Sequence, residues 1–185
     1  MCITFADMDN TAQIIYLIGF MGSGKTTVGK RIADKLGWIF IDIDEVIEHT
    51  TGMKIALIFK EKGEDYFREL ERESIKKFGE MSRMVIATGG GAPCFFDNMD
   101  AMSHNGITVY LKMSPAALTA RLMQLTVEER NQRPLIAGKS EAALLEFVTN
   151  TLSKREPFYS SAKLIIQNED TAELAAERIF KCINL

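Results

Sequence analysis

The sequence has little of the chemistry that builds metal centres or disulfide scaffolds. Its 185 residues include three cysteines and two histidines, and Cys2, Cys94 and Cys182 lie far apart without a Cys-x-x-Cys pair. An odd number of widely spaced cysteines argues against a zinc site or a disulfide framework and is typical of a reducing compartment. We therefore expect a cytoplasmic protein that has no metal cluster of its own.

Long apolar runs and an excess of positive charge are also missing. The longest apolar run near the start, 14–20, is far shorter than a membrane span, and no Lys or Arg precedes it as in a signal peptide. The formal net charge is −3, so no basic field indicates a nucleic acid or an anionic membrane as a partner. We expect neither partner, and we expect the aperiodic residues 1–12 to form a flexible leader.

Short apolar runs alternate with amphipathic segments along the rest of the chain. Their length and β-branched content predict five buried strands, at 14–18, 38–41, 84–88, 107–111 and 163–167. Helical patterns lie at 26–36, 44–51, 54–80 with a break near Gly63, 95–103, 115–124, 140–156 and 171–182. This order predicts a single α/β domain, 13–185, with a parallel sheet covered on both faces and a ligand site at the carboxyl ends of its strands.

A phosphate-binding motif follows the first predicted strand. The segment GFMGSGKT, residues 19–26, matches G-x-x-x-x-G-K-[ST] in full and leads into a helical pattern. In this arrangement backbone N–H groups surround phosphates, Lys25 reaches the β- and γ-phosphates, and the Thr26 hydroxyl ligates Mg²⁺. The residues expected to hold the nucleotide here are Gly22, Ser23, Gly24, Lys25, Thr26 and Thr27. A dinucleotide fingerprint starting at Gly22 would need a glycine where Thr27 stands, so the motif predicts a nucleoside triphosphate site.

Candidates for an acceptor site follow the next two strands. Alternation places Asp42 and Asp44 on the same side at the ligand edge of the sheet. Two neighbouring carboxylates are costly unless a cation or a hydrogen-bond donor lies between them. An alternative is that Asp42 caps the next helix, with Glu45 completing a capping box, which leaves Asp44 unexplained. Three glycines, 89–91, follow the third strand and allow a ligand to approach the main chain.

Arginines supply the remaining candidates, and each has a plainer alternative. Arg68 lies four residues after Glu64 and three before Glu71, so it is also placed to pair with either on a solvated helix face. For Arg121 the plainer alternative is a position on a helix surface, and for Arg133 it is a position in a solvated loop. For Arg155 it is a position at a helix end, where any cation offsets the helix dipole.

Taken in order, these motifs resemble those of the shikimate kinase family. They are the phosphate-binding motif, D-x-D after the second strand, F-R-x-x-E around Arg68, G-G-G, R-P-L at Arg133 and R-x-P-x-Y from Arg155. The resemblance runs from about residue 13 to the C-terminus. It implies a P-loop kinase of nucleoside-monophosphate-kinase type, with five parallel strands flanked by helices, a substrate lobe at about 44–80 and a lid at about 123–139.

The resemblance also implies a reaction and a substrate site. The expected activity is transfer of the γ-phosphate of ATP to the 3-hydroxyl of shikimate, in aromatic amino acid biosynthesis, by a monomer. Arg68 and Arg155 would hold the carboxylate of shikimate, and Asp44 would bind ring hydroxyls, including the one that attacks. The rest of the substrate site would be the main chain of Gly89, Gly90 and Gly91.

For the nucleotide, the resemblance implies roles for the other candidates. Asp42 would hold Mg²⁺ through water, Arg133 would close on the phosphates with the lid, and Arg121 would stack on adenine. Arg130 is an alternative for either of these two arginine roles. The expected catalytic residues are Lys25, Asp44 and Arg133.

Two other functions stay open from the residues alone. Guanine-specific switches need an Asn-Lys-x-Asp segment, which the chain lacks, and the chain is too short for the extra modules of a motor. One alternative is another small P-loop kinase that acts on gluconate or on a nucleoside monophosphate. The other alternative is a nucleotide-binding regulatory module without turnover.

Overall fold

Five strands form the centre of the fold. In the computed structural model, which describes residues 13–131 and 133–183, they are β1 (Ile14–Ile18), β2 (Ile39–Asp42), β3 (Met84–Ala87), β4 (Ile107–Lys112) and β5 (Leu164–Gln167). All neighbours are parallel, and the strand order is β2-β3-β1-β4-β5. The predicted five-stranded parallel sheet is confirmed, whereas the predicted leader, 1–12, lies outside the described residues.

Helices connect the strands. They are α1 (Lys25–Leu36), α2 (Ile43–Thr51), α3 (Ile55–Glu61), α4 (Gly63–Gly79), α5 (Asn98–Asn105), α6 (Pro115–Met123), α7 (Val127–Asn131), α8 (Glu141–Tyr159) and α9 (Ala172–Ile183). A single turn of 3₁₀-helix, Ala92–Cys94, follows β3. None of the helices in the described part of the chain combines the length and the apolar character needed to cross a membrane.

Both faces of the sheet are covered, because successive side chains of the central strand point in opposite directions. Ile14, Tyr16 and Ile18 of β1 are fully buried on one face, against α2 to α6 and α8. Ile15 and Leu17 are fully buried on the other face, against α1 and α9. Burial of each such side chain contributes about 1.5–3 kcal/mol, so β1 is held rigidly from both sides.

The strand order brings three loops together. Since β3 lies between β1 and β2, the segments that follow these three strands are neighbours at one edge of the sheet. They are the phosphate loop (residues 19–26), the start of α2, and the glycine loop (Gly89–Gly91). The candidate residues from three separate stretches of sequence therefore meet at this edge.

Three helices differ from the prediction. The helix predicted at 95–103 is α5, which begins at Asn98 and ends at Asn105. The segment 125–139, which shows no helical periodicity in the sequence, contains α7, a helix too short for a pattern to emerge. The helix predicted to end at residue 156 continues to Tyr159 as α8 and includes Pro157. Proline usually breaks a helix interior, but here it lies in the last turn, where the helix has almost ended.

Candidate active site

The phosphate loop is a backbone cradle at the N-terminus of α1. Gly19, Gly22 and Gly24 all have positive φ angles, 140°, 80° and 88°, which residues with a side chain rarely adopt. Gly24 is the N-cap of α1, and no side chain caps the helix there. The first N–H groups of α1 are thus left to face the loop, where the helix dipole also favours an anion.

Lys25 lies across this loop. Its Nζ donates to the carbonyl oxygens of Gly19 and Phe20, both at 2.9 Å. Burial lowers the pKa of Lys25 to about 8, while the negative charges of Asp44 and Asp42 act in the opposite direction. The ammonium group therefore lies between the backbone cradle and the two aspartates at the start of α2.

Ser23 and Thr27, which were also predicted to hold the nucleotide, differ in the exposure of their side chains. The Ser23 side chain is fully buried. The backbone carbonyl oxygen of Ser23 accepts a hydrogen bond of 2.6 Å from Asn168 Nδ2. Thr27 is exposed in the first turn of α1. Ser23 is consequently limited to main-chain contacts with a nucleotide, and Asn168, which the sequence did not indicate, supports the loop from behind.

Asp42 joins the phosphate loop to α2. Its Oδ2 accepts a hydrogen bond of 2.8 Å from the Thr26 hydroxyl, and its Oδ1 accepts one of 3.1 Å from the Asp44 N–H. Asp42 is therefore the N-cap of α2 and also a partner of Thr26. The capping alternative holds for Asp42, whereas no hydrogen bond among the described residues joins Glu45 to Asp42 as a capping box would require. The prediction from strand alternation was wrong, because β2 ends at Asp42 and Asp44 lies in the first turn of α2.

Two acidic side chains converge beside the first residue of the glycine loop. Asp44 Oδ1 and Glu71 Oε1 are both buried, and no donor among the described residues bonds to either oxygen. Both atoms lie against the position that a Cβ at Gly89 would occupy. Burial, together with the charge of Asp42, raises the pKa of Asp44 to about 6, and burial raises that of Glu71 to about 7. Among the described residues, these two oxygens are buried acceptors without a donor at the start of the glycine loop.

Arg68 of α4 lies beside Gly91, at the other end of the glycine loop. Its Nη1 donates to Glu71 Oε2 at 2.5 Å, and its Nε and Nη2 donate to Glu64 Oε1 at 3.1 and 2.7 Å. The Arg68 side chain is 5% exposed and that of Glu71 is fully buried. The predicted alternative of pairing is therefore right for both glutamates, but the solvated helix face is wrong. The Phe95 ring stacks on Arg68, with its centroid 4.2 Å from Arg68 Cζ, and fixes the plane of the guanidinium group.

Close packing explains each residue of the glycine loop. A Cβ at Gly89 would collide with Glu71 and approach Asp44, and one at Gly91 would lie 2.6 Å from Arg68 Nη1. At Gly90 the neighbours would be the backbone N of Met21 at 3.2 Å and Arg155 Nη1 at 3.5 Å. None of the three glycines has a positive φ, so the requirement is space rather than backbone conformation.

The remaining arginines lie around the same edge. Arg155 of α8 is half-buried above the Phe20 ring, and no carboxylate of the described residues pairs with it. Arg133 is exposed and close enough to Lys25 for its charge to lower the lysine pKa. Arg121 donates to the carbonyls of Asn168 and Asp170 and lies beside Gly24. These three cations surround the phosphate loop and the glycine loop.

Arg130 Nη1 donates to Met123 Sδ at 3.3 Å, within the predicted lid, and its alternative role at the nucleotide stays a prediction. Sequence reasoning missed three residues that support the site, namely Glu71, Asn168 and Tyr159. Two of them stand in the quoted motifs F-R-x-x-E and R-x-P-x-Y without an assigned role. The signal for Glu71 was its spacing of three residues from Arg68 on a helix.

The chain is similar to proteins of one family over most of its length. A family model described as shikimate kinase matches residues 21–184. A shikimate kinase from Phocaeicola vulgatus is 46% identical over 156 residues, which cover 84% of this chain and 87% of that protein.

Solved structures give the same result. The crystal structure of shikimate kinase from Bacteroides thetaiotaomicron is 40% identical, with a TM-score of 0.87 and coverage of 94% of this chain and 99% of that chain. Shikimate kinase from Acinetobacter baumannii in complex with shikimate is 33% identical, with a TM-score of 0.83 and coverage of 93% of each chain. A gluconokinase from Sinorhizobium meliloti, 16% identical with a TM-score of 0.57, shares the fold alone.

Replacing Asp44 by Asn is expected to stabilise the fold at neutral pH. Because the pKa of Asp44 is raised to about 6, folding favours its protonated form, and the ionised form costs free energy as the pH rises through this value. The gain in the free energy of unfolding of Asp44→Asn over the wild type should be larger by about 1–3 kcal/mol at pH 7.5 than at pH 4. Urea unfolding at the two pH values measures this difference.

The matched control is Asp34→Asn, which removes an exposed carboxylate from α1. The control should lack the gain expected for Asp44→Asn at pH 7.5, because an exposed carboxylate carries no cost of burial. If the free energies of unfolding of the two variants change alike between pH 4 and pH 7.5, ionisation of Asp44 does not carry the free-energy cost that its burial predicts.

Proposed function

The chain belongs to the shikimate kinase family, and we propose that it transfers the γ-phosphoryl group of ATP to the 3-hydroxyl of shikimate in aromatic amino acid biosynthesis. One observation carries this proposal: a backbone cradle for phosphates shares one edge of the sheet with Asp44, Arg68 and Arg155, whose side chains suit a hydroxylated organic acid. Phosphoryl transfer depends on positioning and on charge neutralisation, so both parts are needed within reach of each other. We further propose a cytoplasmic monomer that has no nucleic acid or membrane partner.

The phosphate loop would hold the β- and γ-phosphates of ATP through the N–H groups of residues 22–27. Lys25 would exchange its bonds to the Gly19 and Phe20 carbonyls for phosphate oxygens, where its charge balances the charge of the transferred group. Arg121, beside Gly24, would stack on adenine, and Arg133 would close on the phosphates as part of a lid at about 123–139. Closure keeps water from taking the phosphoryl group.

The chemistry of the site fits Mg²⁺. The described residues hold no group of three or more His, Cys, Asp or Glu side chains that could bind a metal alone. Thr26 Oγ1 and Asp42 Oδ2, 2.8 Å apart, offer two oxygen ligands beside the phosphate loop. Mg²⁺ typically keeps several waters and binds through one or two protein oxygens and substrate phosphates. Thr26 would bind the ion directly and Asp42 through water, and the ion would neutralise charge on the phosphates.

The carboxylate of shikimate would lie between Arg68 and Arg155. In the described part of the chain no carboxylate competes for Arg155, and a guanidinium group offers two parallel donors to a carboxylate. On Arg68 the buried Glu71 would stay in place, whereas Glu64, with a side chain 51% exposed, would be displaced from Nη2 by the substrate. Two arginines fix the orientation of the acid as well as its charge.

Asp44 would then position the hydroxyl that attacks. Its free oxygen, Oδ1, would accept the hydrogen bond of the hydroxyl group, beside Gly89 and close to Lys25. The hydroxyl oxygen forms a bond to Pγ while the bond from Pγ to the β,γ-bridging oxygen breaks and ADP leaves. The hydroxyl proton passes to Asp44 late, since the loose transition state needs little help from a strong base.

An ADP-release assay with different acceptors tests the proposed substrate directly. ADP formation coupled to NADH oxidation should require shikimate and should stay at the background rate with gluconate or with nucleoside monophosphates. Activity confined to one of these other acceptors would contradict the proposal. Tight ATP binding without turnover of any acceptor would instead favour a regulatory module.

Arg155→Ala is expected to weaken shikimate binding selectively. Loss of charge-assisted hydrogen bonds to the carboxylate should raise the KM for shikimate about 10- to 100-fold, with the KM for ATP changed less than about 3-fold. Arg155 is preferable to Arg68 for this test, because removing Arg68 leaves Glu71 as an unpaired buried charge.

Arg72→Ala is the matched control, since Arg72 lies one turn beyond Arg68 on α4 and pairs with Asp97 away from the pocket. Both KM values of the control should equal those of the wild type. An equal rise of both KM values in Arg155→Ala would mean that Arg155 is not a shikimate ligand.

The rate should depend on pH through Asp44. Because burial and the Asp42 charge raise the Asp44 pKa to about 6, its accepting form is lost below that pH, with Glu71 titrating close by. We expect kcat/KM for shikimate to fall on the acid side, approaching about tenfold per pH unit below this value. A pH profile between 5 and 8 measures this, and a flat profile would contradict the assignment of Asp44.

A further inference from the structure

The last turn of α8 reaches the glycine loop through a second side chain besides Arg155. Tyr159 lies four residues after Arg155, so both side chains project from one face of the helix. Tyr159 is fully buried, and its phenolic hydroxyl donates a short hydrogen bond to the carbonyl oxygen of Gly90. Gly90 is the middle residue of the glycine loop, and its neighbours include the phosphate loop and Arg155.

The hydroxyl of Tyr159 is held as a donor. Burial raises the pKa of Tyr159 far above the usual range, so the phenol stays protonated, while the charge of the nearby Arg155 acts in the opposite direction. The phenol therefore donates to the Gly90 carbonyl from the helix turn that also carries Arg155. A buried tyrosine hydroxyl needs such partners, because leaving it without any is costly.

Packing keeps the Tyr159 ring in place. It lies against the ring of Tyr110 on β4, with the ring centroids 5.0 Å apart. The hydroxyl of Tyr110 points away from the glycine loop and donates to Glu156 Oε2 at 2.8 Å. The two tyrosines thus share one packing environment, but only Tyr159 is bonded to the loop.

The bond to Gly90 determines the orientation of a peptide group. A trans peptide is planar, so holding the Gly90 carbonyl toward Tyr159 points the N–H of Gly91 in the opposite direction. The flanks of the loop have separate anchors: the Thr88 N–H donates to the Leu17 carbonyl, and Asn98 Nδ2 donates to that of Ala92. Across the loop itself, the Ala92 N–H donates to the Gly89 carbonyl at 3.1 Å and closes a turn. Within this turn the Gly90 carbonyl is bonded to Tyr159, which therefore sets the tilt of the peptide group between Gly90 and Gly91.

We propose that Tyr159 is a positioning residue for the acceptor site: its hydrogen bond to Gly90 fixes the glycine loop relative to Arg155, so that the carboxylate and the hydroxyl of the organic acid are bound together. This inference rests on the proposed function for the identity of the acid. The residue touches neither substrate and acts through Gly90 and Arg155.

Tyr159→Phe tests the proposal because it keeps the ring and removes the hydroxyl. The KM for shikimate should rise about 5- to 30-fold, while the KM for ATP should change less than about 2-fold. Tyr110→Phe is the matched control: it removes a buried hydroxyl from the ring packed against Tyr159. The control should leave both KM values within about 2-fold of the wild type, whatever its effect on the melting temperature.

A double-mutant cycle separates positioning from simple loss of stability. If Tyr159 acts through Arg155, Tyr159→Phe should raise the KM for shikimate less than about 2-fold in an Arg155→Ala background. A melting temperature lowered without a change in the KM for shikimate would overturn the proposal. An equal rise of both KM values, or full additivity with Arg155→Ala, would overturn it as well.

Hydrogen exchange gives a readout that does not depend on the substrate. Amides of the segment 88–92 should exchange about 10-fold faster in Tyr159→Phe than in the wild type, with the phosphate loop unchanged. If the wild type does not phosphorylate shikimate, the proposed function fails, and this measurement alone then decides whether Tyr159 fixes the loop. Unchanged exchange would contradict the positioning role.

Discussion

Burial of opposite charges at one edge of the sheet is the constraint on which the site depends. Asp44 and Glu71 lie with Lys25 and Arg68 where water is largely excluded, and the pKa values of Lys25, Asp44 and Glu71 are all shifted toward neutrality. Such charges are tolerated only when they are paired and held in place. The rigid central strand, the cap at Asp42 and the packing around Arg68 supply that support. An active site built in this way is oriented before the substrate arrives, which is what stabilisation of a charged transition state requires.

The same constraint explains the glycine loop. Gly89 and Gly91 have no room for a side chain, because Glu71 and Arg68 occupy the space beside them, and at Gly90 the nearest neighbour is the backbone N of Met21. The main chain of the glycine loop therefore packs directly against α4 and the phosphate loop.

Part of this site could be predicted from the sequence because it depends on consecutive residues. The phosphate loop follows from the spacing of its glycines and Lys25, and the five strands follow from short apolar runs. The ordered motifs, which include Asp44, Arg68 and residues 89–91, indicate the family from the sequence alone. In each case the signal lies within a few residues of the feature that it predicts.

Other parts could not be predicted because they depend on distances across the fold. Glu71 matters because α4 packs against the loop after β3, which no spacing within α4 reveals. The alternation of the second strand was extended to Asp44, whereas Asp42 caps a helix that begins at Ile43, one residue before its predicted start. Tyr159 lies beyond Pro157, where the pattern predicted that the helix had ended, and its contacts with Tyr110 and the glycine loop join distant parts of the sequence.

A crystal structure of the protein with shikimate, ADP and Mg²⁺ tests the central claim most directly. The account predicts that the carboxylate of shikimate lies between Arg68 and Arg155, with a ring hydroxyl on Asp44 and facing the nucleotide across Lys25. An acid bound with its carboxylate away from both arginines, or with its hydroxyls away from Lys25, would contradict the account.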